Sequence, residues 1–260
     1  MATIRHLYDP AITSKSRQEL VQFAKWFNEK HGSWPSVIGG WAVWSYYQDG
    51  FGSRDVDLIL PSDDWIETVL KKEYFPYRGF SPYQHLGDFL GQKHYGKLVD
   101  PDKPNGDIVF FDLLSASKPR EDPQELGVFV DWNWVNDFRK EAEIDGIKIF
   151  VPEVELLLLL KIIGALARIR DLRYATDPSY LTSKIWKDYY DIANLLAYVT
   201  IDEQKLKNHI TNTKLDKKLI LEFFFGYVSR KDVLEETKAN PSIMEKPFLN
   251  ILGTKKILDM

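Results

Sequence analysis

Apolar residues recur at helical spacing in residues 16–31, where Leu20, Phe23 and Phe27 fall on one face, and the pattern predicts an amphipathic opening helix. A turn, Gly32-Ser33-Trp34-Pro35, leads into a short apolar strand, Ser36-Val37-Ile38, that runs straight into Gly39-Gly40. Residues 41–47 then read as a helix ending near Gly50 and Gly52. The period changes to two at Arg54-Asp55-Val56-Asp57-Leu58-Ile59-Leu60, a strand closed by Pro61 and by the helix-start sequence Ser62-Asp63-Asp64. Helix is expected over 63–73, and an irregular excursion with short strands over 76–106, where Gly, Pro, Tyr and His are frequent. Strand resumes at Ile108-Val109-Phe110-Phe111-Asp112-Leu113-Leu114.

Residues 120–140 carry no regular period, although they contain Trp132 and Trp134. A hairpin follows, turning at Asp145-Gly146 into the strand Ile147-Lys148-Ile149-Phe150-Val151, which Pro152 closes. Helical spacing dominates from there: one helix over 153–173, a second from about Ser183 to Val199, and a few short ones to residue 260. Strands crowd the first part and helices the last. The expected class is therefore α/β (α+β), with a small mixed-sheet domain over 1–152 followed by a mostly helical domain over 153–260.

Composition narrows the chemistry. At 260 residues, with 44% hydrophobic and 28% charged, the chain can bury a substantial core and reads as an ordinary globular protein. It has no cysteine, which excludes disulfides, thiolate catalysis and zinc–thiolate sites. His6, His31, His85, His94 and His209 show no metal-ligand spacing and read as structural or surface groups. The opening MATIRHLYDP has no apolar signal core, and the apolar run 156–160 with Ile162 and Ile163 is short and interrupted by Lys161. A cytoplasmic protein without membrane partners is expected. The net charge of −4 leaves nucleic-acid binding to a local basic patch, for which Arg168, Arg170, Arg173, Lys184 and Lys187 are candidates, or simply a solvated face.

The carboxylates carry the most information. Successive strand residues point to opposite faces, so Asp55 and Asp57 share one face about 7 Å apart, while Val56 and Leu58 anchor the other. Two carboxylates so placed repel unless a cation lies near, and Mg²⁺ takes such oxygens together with substrate phosphates. An ionised carboxylate within Val-Phe-Phe-Asp-Leu-Leu is costly without a partner, which singles out Asp112 as a third member. Asp107, beside Gly106 at the strand's edge, is the competing candidate. A strand-Gly39-Gly40-helix junction lets backbone N–H groups approach a phosphate where a helix N-terminus favours anions.

That order, Gly39-Gly40, then Ser53-x-Asp55-x-Asp57, then Asp112 on a later strand, resembles the DNA-polymerase-β-like nucleotidyltransferases. The gap after Gly40 is longer than in most members, and Gly40 stands where many carry serine. Further along, 144–152, Lys161, Arg168 and Lys187-Asp188-x-x-Asp191 resemble the abortive-infection (AbiEii-like) and MenT-type toxin branch. The resemblance implies Mg²⁺ (or Mn²⁺) held by Asp55, Asp57 and Asp112, the catalytic set. It further implies an NTP bound at Gly39, Gly40, Ser53, Lys161, Arg168 and Asp188, with Asp191 a further candidate. Read from the helix alone, Lys161 is equally a ligand contact or a partner of a carboxylate between domains, and Asp188 and Asp191 lie on a polar helix flank. Residues 174–182 read as a loop inserted between Lys161 and Asp188.

The expected activity is Mg²⁺-dependent transfer of an NMP to a hydroxyl of RNA, including tRNA, or of a protein, in a toxin–antitoxin-like setting. The other class of reading is a catalytically silent nucleotide-binding or antitoxin-like partner. Aromatic residues of 75–95 either stack bases or pack. Phe223-Phe224-Phe225 cannot all face one side of a helix, so the C-terminal helices are a candidate homodimer or partner surface.

Overall fold

The computed structural model describes residues 8–83, 93–102, 106–117, 120–121 and 126–253. Its chain divides into two compact units: residues 1–120 with 131–153, and residues 121–130 with 154–260.

The first unit is built on a seven-stranded mixed sheet. Its elements are α1 (Pro10–His31), β1 (Ser36–Ile38), α2 (Gly39–Tyr46) and β2 (Asp55–Leu60). A helical run follows, α3 (Asp63–Trp65) continuing through a π-helical stretch (Ile66–Tyr74) into α4 (Phe75–Arg78). Then come β3 (Ser81–Pro82), β4 (Lys93–Leu98) and β5 (Ile108–Ser115); β6 (Arg120–Glu121) and β7 (Phe129–Val130), which follow in the chain, form a separate ribbon lying almost wholly in residues 121–130 of the second unit. α5 (Trp134–Asp137), β8 (Arg139–Ile144) and β9 (Ile147–Pro152) complete the set. Strand order is β3-β4-β5-β2-β1-β9-β8, with β2 parallel to β5 and β1 parallel to β9.

α1 starts at Pro10, well before residue 16. The Asp9 carboxylate accepts from the Ala11 N–H at 2.8 Å, and proline at the first helical position needs no partner for its missing N–H. The helix stops at Gly32, whose φ of 64° closes a left-handed cap.

The sheet is two-faced. Val56, Leu58, Phe111 and Leu113 are fully buried on one face. There the Phe111 ring meets Phe23 of α1 at 5.4 Å, Phe75 at 5.6 Å and Phe80 at 4.9 Å, while Phe75 stacks on Tyr95 at 4.2 Å. Truncating Phe111 to alanine would cost about 3–5 kcal/mol. Glu19 of α1, almost fully buried, takes ion pairs from Lys97 at 2.9 Å, Arg78 at 3.0 Å and Lys15 at 3.2 Å. The opposite face carries Asp55 and Asp57 beside the buried Ile59 and Phe110.

The second unit is helical: α6 (Val154–Asp171), α7 (Pro178–Tyr198), α8 (Glu203–Thr213), α9 (Lys217–Val228), α10 (Lys231–Thr237) and α11 (Pro241–Leu252). α7 begins at Pro178, not near Ser183, because Asp177 accepts from the Tyr180 N–H and proline takes the first turn. Half of the supposed inserted loop is thus helix. Its stripe of Ile185, Tyr189, Ile192 and Leu196 is buried, and Tyr189 stacks on Phe223 of α9 at 5.1 Å. Phe223 and Phe224 are buried and Phe225 is 44% exposed, which resolves the triple phenylalanine into two core rings and one surface ring. Among the described residues no helix is long and apolar enough to cross a membrane.

Candidate active site

Strand register assembles the polar face. In the parallel pair β2–β5, Asp57 is the direct partner of Asp112 and Asp55 of Phe110. Asp55, Asp57 and Asp112 therefore stand on one face, with Asp57 and Asp112 on hydrogen-bonded neighbours about 4.8 Å apart. In the antiparallel pair β4–β5, Asp112 is also the partner of His94. A row Ile38–Asp57–Asp112–His94 thus crosses four strands. Asp107 precedes β5, where its carbonyl accepts from the Val99 N–H at 2.8 Å, and it stands outside this row.

Gly39 fixes one side of the face. It has φ of 66°, and a Cβ there would fall 2.0 Å from Asp57 Oδ2, so only glycine lets the start of α2 approach that carboxylate. The first N–H groups of a helix lack intrahelical partners and carry partial positive charge, which favours the Asp57 anion. A side chain at residue 40 would meet Ser53 Cβ and Oγ at 2.7 Å. The space beside Gly40 is thus filled from across by Ser53. Arg54 Nε donates to the Ile108 carbonyl at 2.7 Å and ties the start of β2 to β5.

His94 is the functional candidate that sequence reasoning passed over. It is 8% exposed, and its Nδ1 lies 2.7 Å from Asp112 Oδ1. Burial pulls its pKa down, but the hydrogen bond and charge of Asp112, then the charges of Asp55 and Asp57, outweigh that and raise it. Nε2 is buried and has no hydrogen-bond partner. In the sequence, His94 lies eighteen residues from Asp112 in a stretch with weak period, so no local signal could join them.

As the side chains stand, no group of three or more His, Asp or Glu among the described residues is placed to hold a metal ion. The donor chemistry nevertheless fits a hard divalent cation: three carboxylates on one face of adjoining strands, two of them direct neighbours.

Lys161, Arg168 and Asp188 belong to the helical unit, where they meet one another. Lys161 Nζ donates to Asp191 at 2.8 Å and to Asp188 at 3.4 Å, Arg168 pairs with Asp188, and Lys187 pairs with Asp191. Asp188 and Asp191 on this polar flank are thus buried and ion-paired, and the partners of Lys161 are in its own unit. Burial lowers the affinity of both lysines for their protons. For Lys161 the charges of Asp191 and Asp188 reverse this and its pKa is raised, whereas for Lys187 burial wins and the pKa is lowered. Of the aromatic segment 75–95, residues 84–92 lie outside the described residues, as does the opening stretch 1–7. Phe75, Phe80 and Tyr95 are core.

No protein-family model matches the chain, and no curated protein matches it. It is similar to the crystal structure of an antigenic nucleotidyltransferase-like protein from Paracoccidioides brasiliensis, with 16% identity and a TM-score of 0.43 over 88% of this chain and 94% of that one. A likeness this distant decides nothing about the face described above.

Proposed function

We propose that the chain is a nucleotidyltransferase that uses Asp55, Asp57 and Asp112 to hold Mg²⁺ and the triphosphate of an NTP. One observation carries the reading: the register Asp57↔Asp112, which sets a third carboxylate beside the Asp-x-Asp pair on the face that α2 approaches through Gly39. The divalent ion, when bound, supplies the charge that neutralises triphosphate oxygens. The N–H groups at the start of α2 orient phosphate oxygens, and Ser53 adds a hydroxyl. Asp112 accepts the proton of the attacking hydroxyl, whose oxygen bonds the α-phosphorus as the bond to the bridging oxygen breaks and pyrophosphate leaves. Rate acceleration comes chiefly from positioning and charge stabilisation.

The finer parts of the reading rest on the motif resemblance. They are an RNA acceptor, including a tRNA end, or a protein hydroxyl, and a toxin–antitoxin-like setting. The resemblance also names Lys161, Arg168 and Asp188 as nucleotide contacts. In the helical unit their charges already answer one another, so the strand unit alone supports the proposal.

The second reading is a nucleotide-binding protein without turnover. Incubating the protein and its Asp55→Ala variant with each α-³²P-labelled NTP, Mg²⁺ and total RNA separates the two. Label moved by the wild type alone onto RNA or protein supports the enzyme. Mg²⁺-dependent NTP binding without transfer supports the second reading, and absence of NTP binding defeats both.

A further inference from the structure

The row of polar residues on the sheet does not stop at the third carboxylate. His94 extends it by one strand, in direct register with Asp112. Its ring is held on the same face as Asp112, with its Nδ1 at 2.7 Å from Oδ1 and the side chain only 6% exposed. A hydrogen bond to a carboxylate at this distance fixes the plane of that group. Nδ1 must be the protonated nitrogen to make this bond, because an ionised carboxylate only accepts. A carboxylate that holds a cation is commonly oriented in this way by a further hydrogen bond, and loss of such a partner typically weakens metal binding.

We propose that His94 is a positioning residue for Asp112: by donating from Nδ1 to Oδ1 it sets the plane of the Asp112 carboxylate for the divalent cation. The inference rests on the assignment of Asp55, Asp57 and Asp112 as the cation-holding set. The role is specific to one nitrogen of the ring, which makes it separable from mere packing. An asparagine at residue 94 offers its amide N–H where Nδ1 was, whereas a glutamine offers it where Nε2 was. Both are polar; glutamine is close to histidine in volume and asparagine is smaller.

The test is Mn²⁺ titration followed by electron paramagnetic resonance on wild type, His94→Asn, His94→Gln and Asp55→Ala, with thermal melts alongside. His94→Gln is expected to bind Mn²⁺ about 10- to 100-fold more weakly than wild type, and His94→Asn within about threefold of it. Equal binding by wild type and His94→Gln would overturn the inference, as would equal loss in both histidine variants. If Asp55→Ala abolishes Mn²⁺ binding while His94→Gln leaves it intact, only the role of His94 falls. If wild type itself does not bind Mn²⁺, the cation-holding set falls and this inference with it. Should His94→Gln fail to fold, a two-bond ¹H–¹⁵N spectrum of the wild type still decides. A protonated Nδ1 is expected, and a bare Nδ1 overturns the proposal.

Discussion

Both units bury charge, in opposite ways. The strand unit gathers like charges, with Asp55, Asp57 and Asp112 on one sheet face and a single imidazole, His94, in the same row. The helical unit interleaves opposite charges, so that Lys161, Arg168 and Lys187 meet Asp188 and Asp191 at close range. Like charges held together by strand register raise one another's energy and are useful only toward something else. Opposite charges packed together in low dielectric chiefly hold themselves in place. Neutralising one member should therefore cost function in the first set and stability in the second.

The largest effect is expected at Asp57. Asp57→Asn preserves shape but removes one charge from the set and one anion from the start of α2. Nucleotidyl transfer should fall by about 10³-fold or more, equivalent to about 4 kcal/mol of transition-state stabilisation. The unfolding free energy in urea should stay within about 1 kcal/mol of wild type, since relief of like-charge repulsion offsets the lost helix contact. A variant that kept its activity, or lost most of its stability, would erase the contrast between the units.

Lys161→Met is the converse. It removes the cation shared by Asp188 and Asp191, both almost fully buried, and leaves that charge to Arg168 and Lys187. Breaking a buried ionic cluster by removing one partner should destabilise the protein by about 3 kcal/mol in urea unfolding. If stability is unchanged while NTP affinity drops, Lys161 is a nucleotide contact and its ion pairs are incidental.

Glu19 sharpens the comparison from within the strand unit. It is a buried carboxylate that has its cations, Lys97, Arg78 and Lys15. Burial alone would raise its pKa, but hydrogen bonds and charge from Lys97 and Arg78 outweigh that and lower it below the ordinary 4.5. A depressed folded-state value means the ion pairs stabilise above the unfolded pKa, and the contribution is lost as pH falls through the folded one. Glu19→Gln should cost about 2 kcal/mol at pH 7. The gap between variant and wild type should close as unfolding is repeated below pH 4.5. A gap independent of pH would show that shape rather than charge holds Glu19.

What the sequence disclosed follows the same division between local and distant. Asp55 and Asp57 share a face because strand period is two, and Gly39 opens α2 because it directly follows the last residue of β1. Both facts are local. The mixed sheet and the helical C-terminal region were equally legible, since period and composition change together at Pro152. The starts of α1 and α7 were written in Asp9-Pro10 and Asp177-Pro178, cap-and-proline pairs more informative there than weak apolar spacing. Pairing partners are another matter. Nothing near His94 marks Asp112 as its neighbour, and nothing near Lys161 marks α7, because strand register and helix packing join residues distant in the chain.

The smallest expected effect tests that distinction at one residue. Asp107 and Asp112 are both aspartates of one short stretch, and composition alone cannot rank them. Register can. Asp112 lies within β5 beside Asp57, whereas Asp107 precedes the strand and engages Val99 through its backbone carbonyl. A side-chain change at residue 107 leaves that backbone bond intact. Asp107→Asn should therefore change stability by less than about 0.5 kcal/mol and leave nucleotidyl transfer within about twofold of wild type. Asp112→Asn in the same assay should lose transfer by about 10²-fold or more. If the two variants exchanged these outcomes, the third carboxylate would be Asp107, and the row from Asp57 through Asp112 to His94 would be a structural feature of the sheet alone.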